Sequence, residues 1–426
     1  MATPSRDRLV DLVRPLAMVV VVLMHWVVQR VSLGPEGLRT ENALHGPFAV
    51  AATWLLQVMP LFFIAGGFVN TLTYDRARQA GQTNAAFVGL RARRLLTPTV
   101  PVIVVVTSAT TVAWLVGQPQ VGRRVADHTA NPWWFLVAYL TCVMVTPAVV
   151  RLHDRLGWWP VPLLLAVAVA GNDAARRLLP GTPGLGDLNV LMVWLFCHQL
   201  GVLYARGTLS RVPRAGLAGT AALAVTGIVA LVCWARYPDV TIGLADHPEQ
   251  NLMPATLALV LLGTAQACLL ALAAGAARRW RPSRRTGQLL GWGNLLLFPV
   301  FLWHVPAFFA FLGTGLAAPW LLPSDEARYW ALRPLAVLIT AGLLAVLVAG
   351  AVQAERVWAG WEPVTTTARV VAGTGAGTVG CYLVWHRGLA VLGDDMAPDP
   401  LAVGALLLVM AGVLLVQRPG ARPPRR

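Results

Sequence analysis

Apolar runs of about the length that crosses a bilayer recur from one end of this chain to the other, and that recurrence restricts its fold. A spanning helix needs about 20 mostly apolar residues. Candidate spans lie at roughly 11–31, 49–72, 97–116, 132–150, 158–171, 188–205, 215–234, 251–273, 289–313, 331–350, 367–386 and 399–416. The fifth run is short and flanked by Pro160 and Pro162, which points to a tilted, broken or re-entrant segment. In lipid every backbone polar group must be satisfied within the protein, so such runs become helices. The expected fold class is all-α, a polytopic transmembrane bundle of about ten to twelve spans. Composition agrees: 57% of the residues are hydrophobic and 12% charged, against roughly 25% charged in a soluble domain.

The net charge of +15 invites a nucleic-acid reading, but the position of the charges excludes it. All 34 basic side chains are Arg, and they cluster in the short breaks between apolar runs. With the N-terminus inside and strict alternation, 24 Arg fall inside and 10 outside, while 6 acidic residues fall inside and 13 outside. Such a bias obeys the positive-inside rule. It predicts a multi-pass plasma-membrane protein with both termini in the cytoplasm and the lipid bilayer as its surroundings. The five cysteines each sit in an apolar run and form no close pair, so neither disulfides nor a metal site is expected.

Several ionisable residues stand where lipid makes them costly. Arg14 and His25 are eleven residues apart, which on a helix is three turns plus about 20°. They share a face, about 16 Å apart along the axis, with Asp11 near it. Arg14 lies near the cytoplasmic edge, whereas His25 is deep. A neutral imidazole at that depth can act as a general base toward a hydroxyl or can pack between helices with one structural hydrogen bond. His304, in Phe301-Leu302-Trp303-His304-Val305-Pro306, is a second deep histidine, and His198 a third. Gly66 and Gly67 permit close helix approach, and Pro60 can open a backbone hydrogen bond. Arg91, Arg93 and Arg94 precede Pro98 at the cytoplasmic mouth. Arg forks suit phosphate oxygens, although a topology determinant would look the same. Asp246-His247-Pro248-Glu249 falls in an outer loop. Phosphate-loop, HExxH and GxSxG signatures are missing.

Taken in order, these pieces resemble the membrane-bound acyltransferase family 3, which O-acylates sugars and related hydroxyl compounds. Arg14 and His25 are similar to its opening Arg, ten residues, His. Leu61-Phe62-Phe63-Ile64-Ala65-Gly66-Gly67-Phe68 resembles its Phe-Phe-x-x-Ser-Gly-Phe segment, with Ala65 where that family has Ser. Arg91 to Arg94 with Pro98 resembles its Arg-x-x-Arg…Pro run. Phe301 to Pro306 resembles its late Tyr-Leu-x-His-x-Pro segment, with Phe301 for Tyr and Gly293-Asn294 where Ser-Tyr is common. The resemblance implies His25 as base, with Arg14 and His304 completing the catalytic set and His304 positioning or relaying. It implies acyl-CoA as donor, its phosphates met by Arg91, Arg93 and Arg94, and a hydroxyl acceptor on a sugar or glycan. Direct attack and a covalent acyl-enzyme are both compatible with it. On this reading residues 1–350 form an acyltransferase-like transmembrane domain, 351–416 add C-terminal transmembrane helices and 417–426 form a basic cytoplasmic tail. The rival class is a transporter or flippase for a sugar-bearing or hydrophobic compound, since buried His and Arg suit a translocation path. Internal repeats, the usual mark of a transporter, are not visible.

Overall fold

Proline and glycine cut the apolar runs into helices. In a computed structural model, which describes residues 7–34, 37–393 and 396–420, they are α1 (Arg8–Val28), α2 (Gly46–Leu55), α3 (Met59–Gln79), α4 (Asn84–Leu96), α5 (Thr99–Leu115), α6 (Pro119–Ala130), α7 (Trp133–Leu156), α8 (Pro160–Leu178), α9 (Leu185–Ala205), α10 (Arg214–Cys233), α11 (Leu257–Arg279), α12 (Arg284–Ala317), α13 (Glu326–Ala354), α14 (Thr367–Arg387) and α15 (Pro400–Leu415). Strands β1 (Gln29–Gly34) and β2 (Gly37–Asn42) pair with each other. Strands β3 (Trp361–Pro363) and β4 (Gln417–Pro419) pair antiparallel, with Glu362 opposite Arg418.

Each of the twelve apolar runs falls on helix. Nine helical stretches among the described residues are long and apolar enough to cross a membrane. Of the remaining three runs, α15 is shorter, α8 carries Asp173, Arg176 and Arg177 near its end, and α14 is diluted by glycine and threonine. Two local expectations are corrected. The run 49–72 is not one helix: α2 ends at Leu55 and α3 restarts at Met59, with Pro60 at its second position, where a missing N–H costs nothing. The fifth run is not broken: α8 runs unbroken from Pro160, with both prolines in its first turn. Of the basic tail, Gln417–Pro419 form β4, and residues 421–426 lie outside the described residues.

The contacts divide the chain into two units that interleave in sequence. The first holds Met1–Met24, Glu41–Arg76 and Val145–Leu297; the second holds His25–Thr40, Ala77–Met144 and Phe298–Arg426. Helices α1, α3, α7 and α12 each contribute a segment to both.

In the first unit α3 and α9 cross backbone to backbone. A Cβ added at Gly67 would lie 2.0 Å from the His198 carbonyl oxygen, and one at Gly201 2.0 Å from that of Ile64. Without a hydrophobic drive between helices in lipid, such close approach is what holds them. Alanines meet Leu217 and Cys268 between α10 and α11. The segment between these two helices is fastened by Asp173, which accepts from the Tyr237 hydroxyl (2.8 Å), the Leu257 N–H (2.9 Å) and Asn189 (2.5 Å). Burial, with the Asp173 carboxylate beside it, pushes the Tyr237 phenol well above its usual range, so it stays a donor.

In the second unit α14 and α15 form a hairpin seamed by glycines. A Cβ at Gly412 would meet the Gly377 Cα at 2.7 Å, and one at Gly380 the Val409 nitrogen at 2.6 Å. Beside it, α4 is capped by the Thr83 hydroxyl, which accepts from the Ala86 N–H.

Candidate active site

Helix α1 shows a sharp division of faces. Leu16, Val19 and Leu23 are exposed, and at 100° per residue they share an arc of about 60°. Buried Val10, Ala17, Met18, Val22 and Trp26 occupy other angles. His25 stands about 180° from Leu16, near the middle of the arc these buried side chains occupy. Yet His25 is itself exposed. Its imidazole thus keeps accessible surface on the side of the helix turned away from the exposed leucines.

In the second unit His25 meets His304 edge-on, the ring centroids 4.7 Å apart and the planes at 81°. Two of the three deep histidines named from the sequence, His25 and His304, nearly 280 positions apart, come together. His304 is 0% exposed. Its Nδ1 lies 2.5 Å from the Phe301 carbonyl oxygen. A carbonyl can only accept, so Nδ1 carries the proton and Nε2 presents a lone pair. Nε2 has no hydrogen-bond partner among the described residues. A neutral imidazole with its tautomer fixed by a backbone carbonyl is poised to take or orient a proton. The indole N–H of Trp26 donates to the His304 carbonyl at 2.8 Å, tying α1 to α12 at this level. Phe301, whose ring is 4.7 Å from that of Phe135, closes the other side.

Just beyond the pair, the Tyr329 hydroxyl donates to the Val27 carbonyl (3.0 Å). Arg333, four residues along α13, lies 4.9 Å from the Tyr329 ring centroid and 6.0 Å from that of Phe308. Strict alternation makes Arg333 one of the ten outer arginines and gives it no site role. Its signal is that it is the one charged residue of the apolar run 331–350.

Arg14 is found in the first unit, donating to Asn294 Oδ1 at 3.2 Å. Asn294 in turn donates to the carbonyls of Asp11 (2.7 Å) and Leu290 (2.9 Å). Gly293 lets Pro15 in, since a Cβ there would sit 3.0 Å from the proline ring. Asn294 therefore does for Arg14 what the sequence did not foretell, fixing the guanidinium relative to α12.

The Arg91–Arg94 cluster rides on α4 in the second unit. Arg94 is exposed, and Arg91 lies over the Phe87 ring at 5.7 Å. Arg93 is engaged at both strands of the β3–β4 pair: Nε donates to Gln417 on β4 (2.9 Å) and Nη2 to the carbonyl of Trp358, just before β3 (3.2 Å). His198, buried in the first unit, is approached by the Asn70 amide at 3.2 Å, and its backbone is pressed by Gly67. The structure thus gives both His198 and the Gly67 segment a packing role. His247 faces Asp239 at 3.0 Å in the loop before α11.

The profile of a family described as an acyltransferase domain matches residues 8–386. The chain belongs to acyltransferase family 3. The match runs from the start of α1 almost to the end of α14, so the histidine pair, the α4 arginines and Arg333 all fall within the acyltransferase. Comparison with curated proteins and with solved structures returned no match. Family membership decides between the enzyme and the transporter: this is a membrane acyltransferase.

Proposed function

We propose that the protein transfers an acyl group, acetyl in the simplest case, from acyl-CoA to a hydroxyl of a sugar, glycan or glycosylated metabolite. The observation that carries this reading is the edge contact of His25 with His304, with the first residue exposed and the second locked in one tautomer. The acceptor hydroxyl attacks the thioester carbonyl while His25 takes its proton. The new C–O bond forms, the C–S bond breaks, and CoA leaves as the thiol, recovering the proton from His25. His304 orients the His25 ring by packing against it edge-on. A positioned base of this kind contributes about 10²–10⁴-fold to rate.

On the donor side the phosphates of CoA are assigned to Arg91 and Arg94, with Arg93 bracing the helix that presents them. The arginine distribution supports a plasma-membrane orientation with this cluster and both termini in the cytoplasm.

The test is acyl transfer from labelled acetyl-CoA to a panel of sugars by purified protein. His25→Ala is expected to abolish transfer while leaving yield and thermal stability near those of the parent. Parent-like turnover by that variant would remove His25 from the chemistry.

A further inference from the structure

Arg333 is a buried guanidinium without a counter-charge. It is 9% exposed, its Nε and Nη2 are buried without an acceptor, and among the described residues no carboxylate lies within ion-pair distance of it. The Tyr329 and Phe308 rings attract the cation through their faces, at the separations where that attraction is felt. They leave Nε and Nη2 without an acceptor. Unpaired buried charge is among the costliest arrangements in a protein, more so in a membrane, and it is retained where a partner arrives. The planar fork of a guanidinium matches the paired oxygens of a carboxylate or phosphate.

Two positions say which anion this is. Phe308 follows His304 by four residues, about 6 Å along α12, and Tyr329 bonds the carbonyl of Val27, two residues past His25. The guanidinium is therefore about one helical turn from the histidine pair. The Trp358 carbonyl, which accepts from Arg93, comes twenty-five residues after Arg333, separated by most of α13, or roughly 35 Å at helical rise. That exceeds a hydrocarbon core of about 30 Å. The α4 cluster assigned to the donor's phosphates and the Arg333 cage thus belong to opposite ends of a spanning helix.

We propose that Arg333, held between Tyr329 and Phe308, binds a carboxylate or phosphate carried by the hydroxyl acceptor, about one helical turn from the reacting hydroxyl. The acceptor is then an acidic sugar or a phosphorylated glycan rather than a neutral one. This rests on the acceptor half of the proposed function, and it is tested without acyl transfer, so that either can fail alone.

The full-length protein, in nanodiscs of zwitterionic lipid and without donor, is titrated with inorganic phosphate, methyl glucuronide and neutral methyl glucoside, reading heat of binding and melting temperature. Both anions are expected to bind, with the glucuronide at least about ten-fold tighter than the glucoside, the scale of a lost charged hydrogen bond. Arg333→Met should erase that difference and Arg333→Lys should keep part of it, while Arg94→Ala should leave it intact. If Arg333→Met does not fold, Phe308→Leu, which opens the cage, should weaken the anions alone. Equal binding of charged and neutral glycosides, a charge preference that survives in Arg333→Met, or no anion binding would overturn the proposal. So would Arg333-dependent stabilisation by phosphatidylglycerol nanodiscs with none from the soluble anions, which would assign the site to a lipid headgroup.

Discussion

A backbone oxygen decides how His304 is protonated. Because the Phe301 carbonyl accepts a hydrogen bond from Nδ1–H, the Nε2 lone pair is the only basic site the ring offers. Asparagine at 304 would keep a donor near Nδ1 but remove Nε2. His304→Asn is therefore expected to lower kcat by about 10²-fold or more, with little change in the donor KM. A kcat within a factor of two of the parent would make His304 a packing residue. His198 is the contrasting case: equally buried, it accepts from Asn70 and lends its own backbone to the glycine crossing. Sequence spacing found Arg14, His25 and His304, because ionisable groups in apolar runs stand out. It did not reveal Asn294, a neutral amide within α12, as the partner of Arg14, nor the cage around Arg333, which depends on contacts made across helices.

Among the elements, α4 is hydrogen-bonded to the region of the β3–β4 pair through one side chain. Arg93 bonds Gln417 on β4 and the carbonyl of Trp358 just before β3, whereas its neighbour Arg94 is exposed. The three arginines should separate on mutation. Arg93→Ala is expected to destabilise the protein by about 1.5–3 kcal/mol, the range for hydrogen bonds to charged groups, seen as a lower melting temperature. Arg94→Ala should leave melting unchanged and raise the apparent donor KM several-fold. A lower melting temperature in Arg94→Ala, or an unchanged donor KM, would return that residue to a topological role. The order of the helices was legible from the apolar runs, since membrane length and helical periodicity leave few options. The α2–α3 break, the polar helix α6 and the short strands were not. Each is fixed by local chain geometry at a proline or by tertiary contacts, and neither changes hydropathy.

For the molecule as a whole, the arginine count makes a topological statement that one cysteine can check. Cys142, Cys197, Cys268 and Cys381 are buried, and Cys233, the last residue of α10, is exposed. With the N-terminus inside, that end of α10 faces outward. A membrane-impermeant maleimide applied to intact cells should label the unmodified protein at Cys233 alone, and Cys233→Ser should abolish labelling. Labelling only after permeabilisation would invert the orientation. The two interleaved units also show that sequence order is a poor guide to assembly here, because four helices serve both.

One feature of α1 carries a cost. An imidazole that a sugar alcohol can reach is one that water can reach too. A loaded but idle enzyme should therefore squander thioesters, liberating free thiol slowly when no alcohol is supplied, and that leak should vanish in His25→Ala.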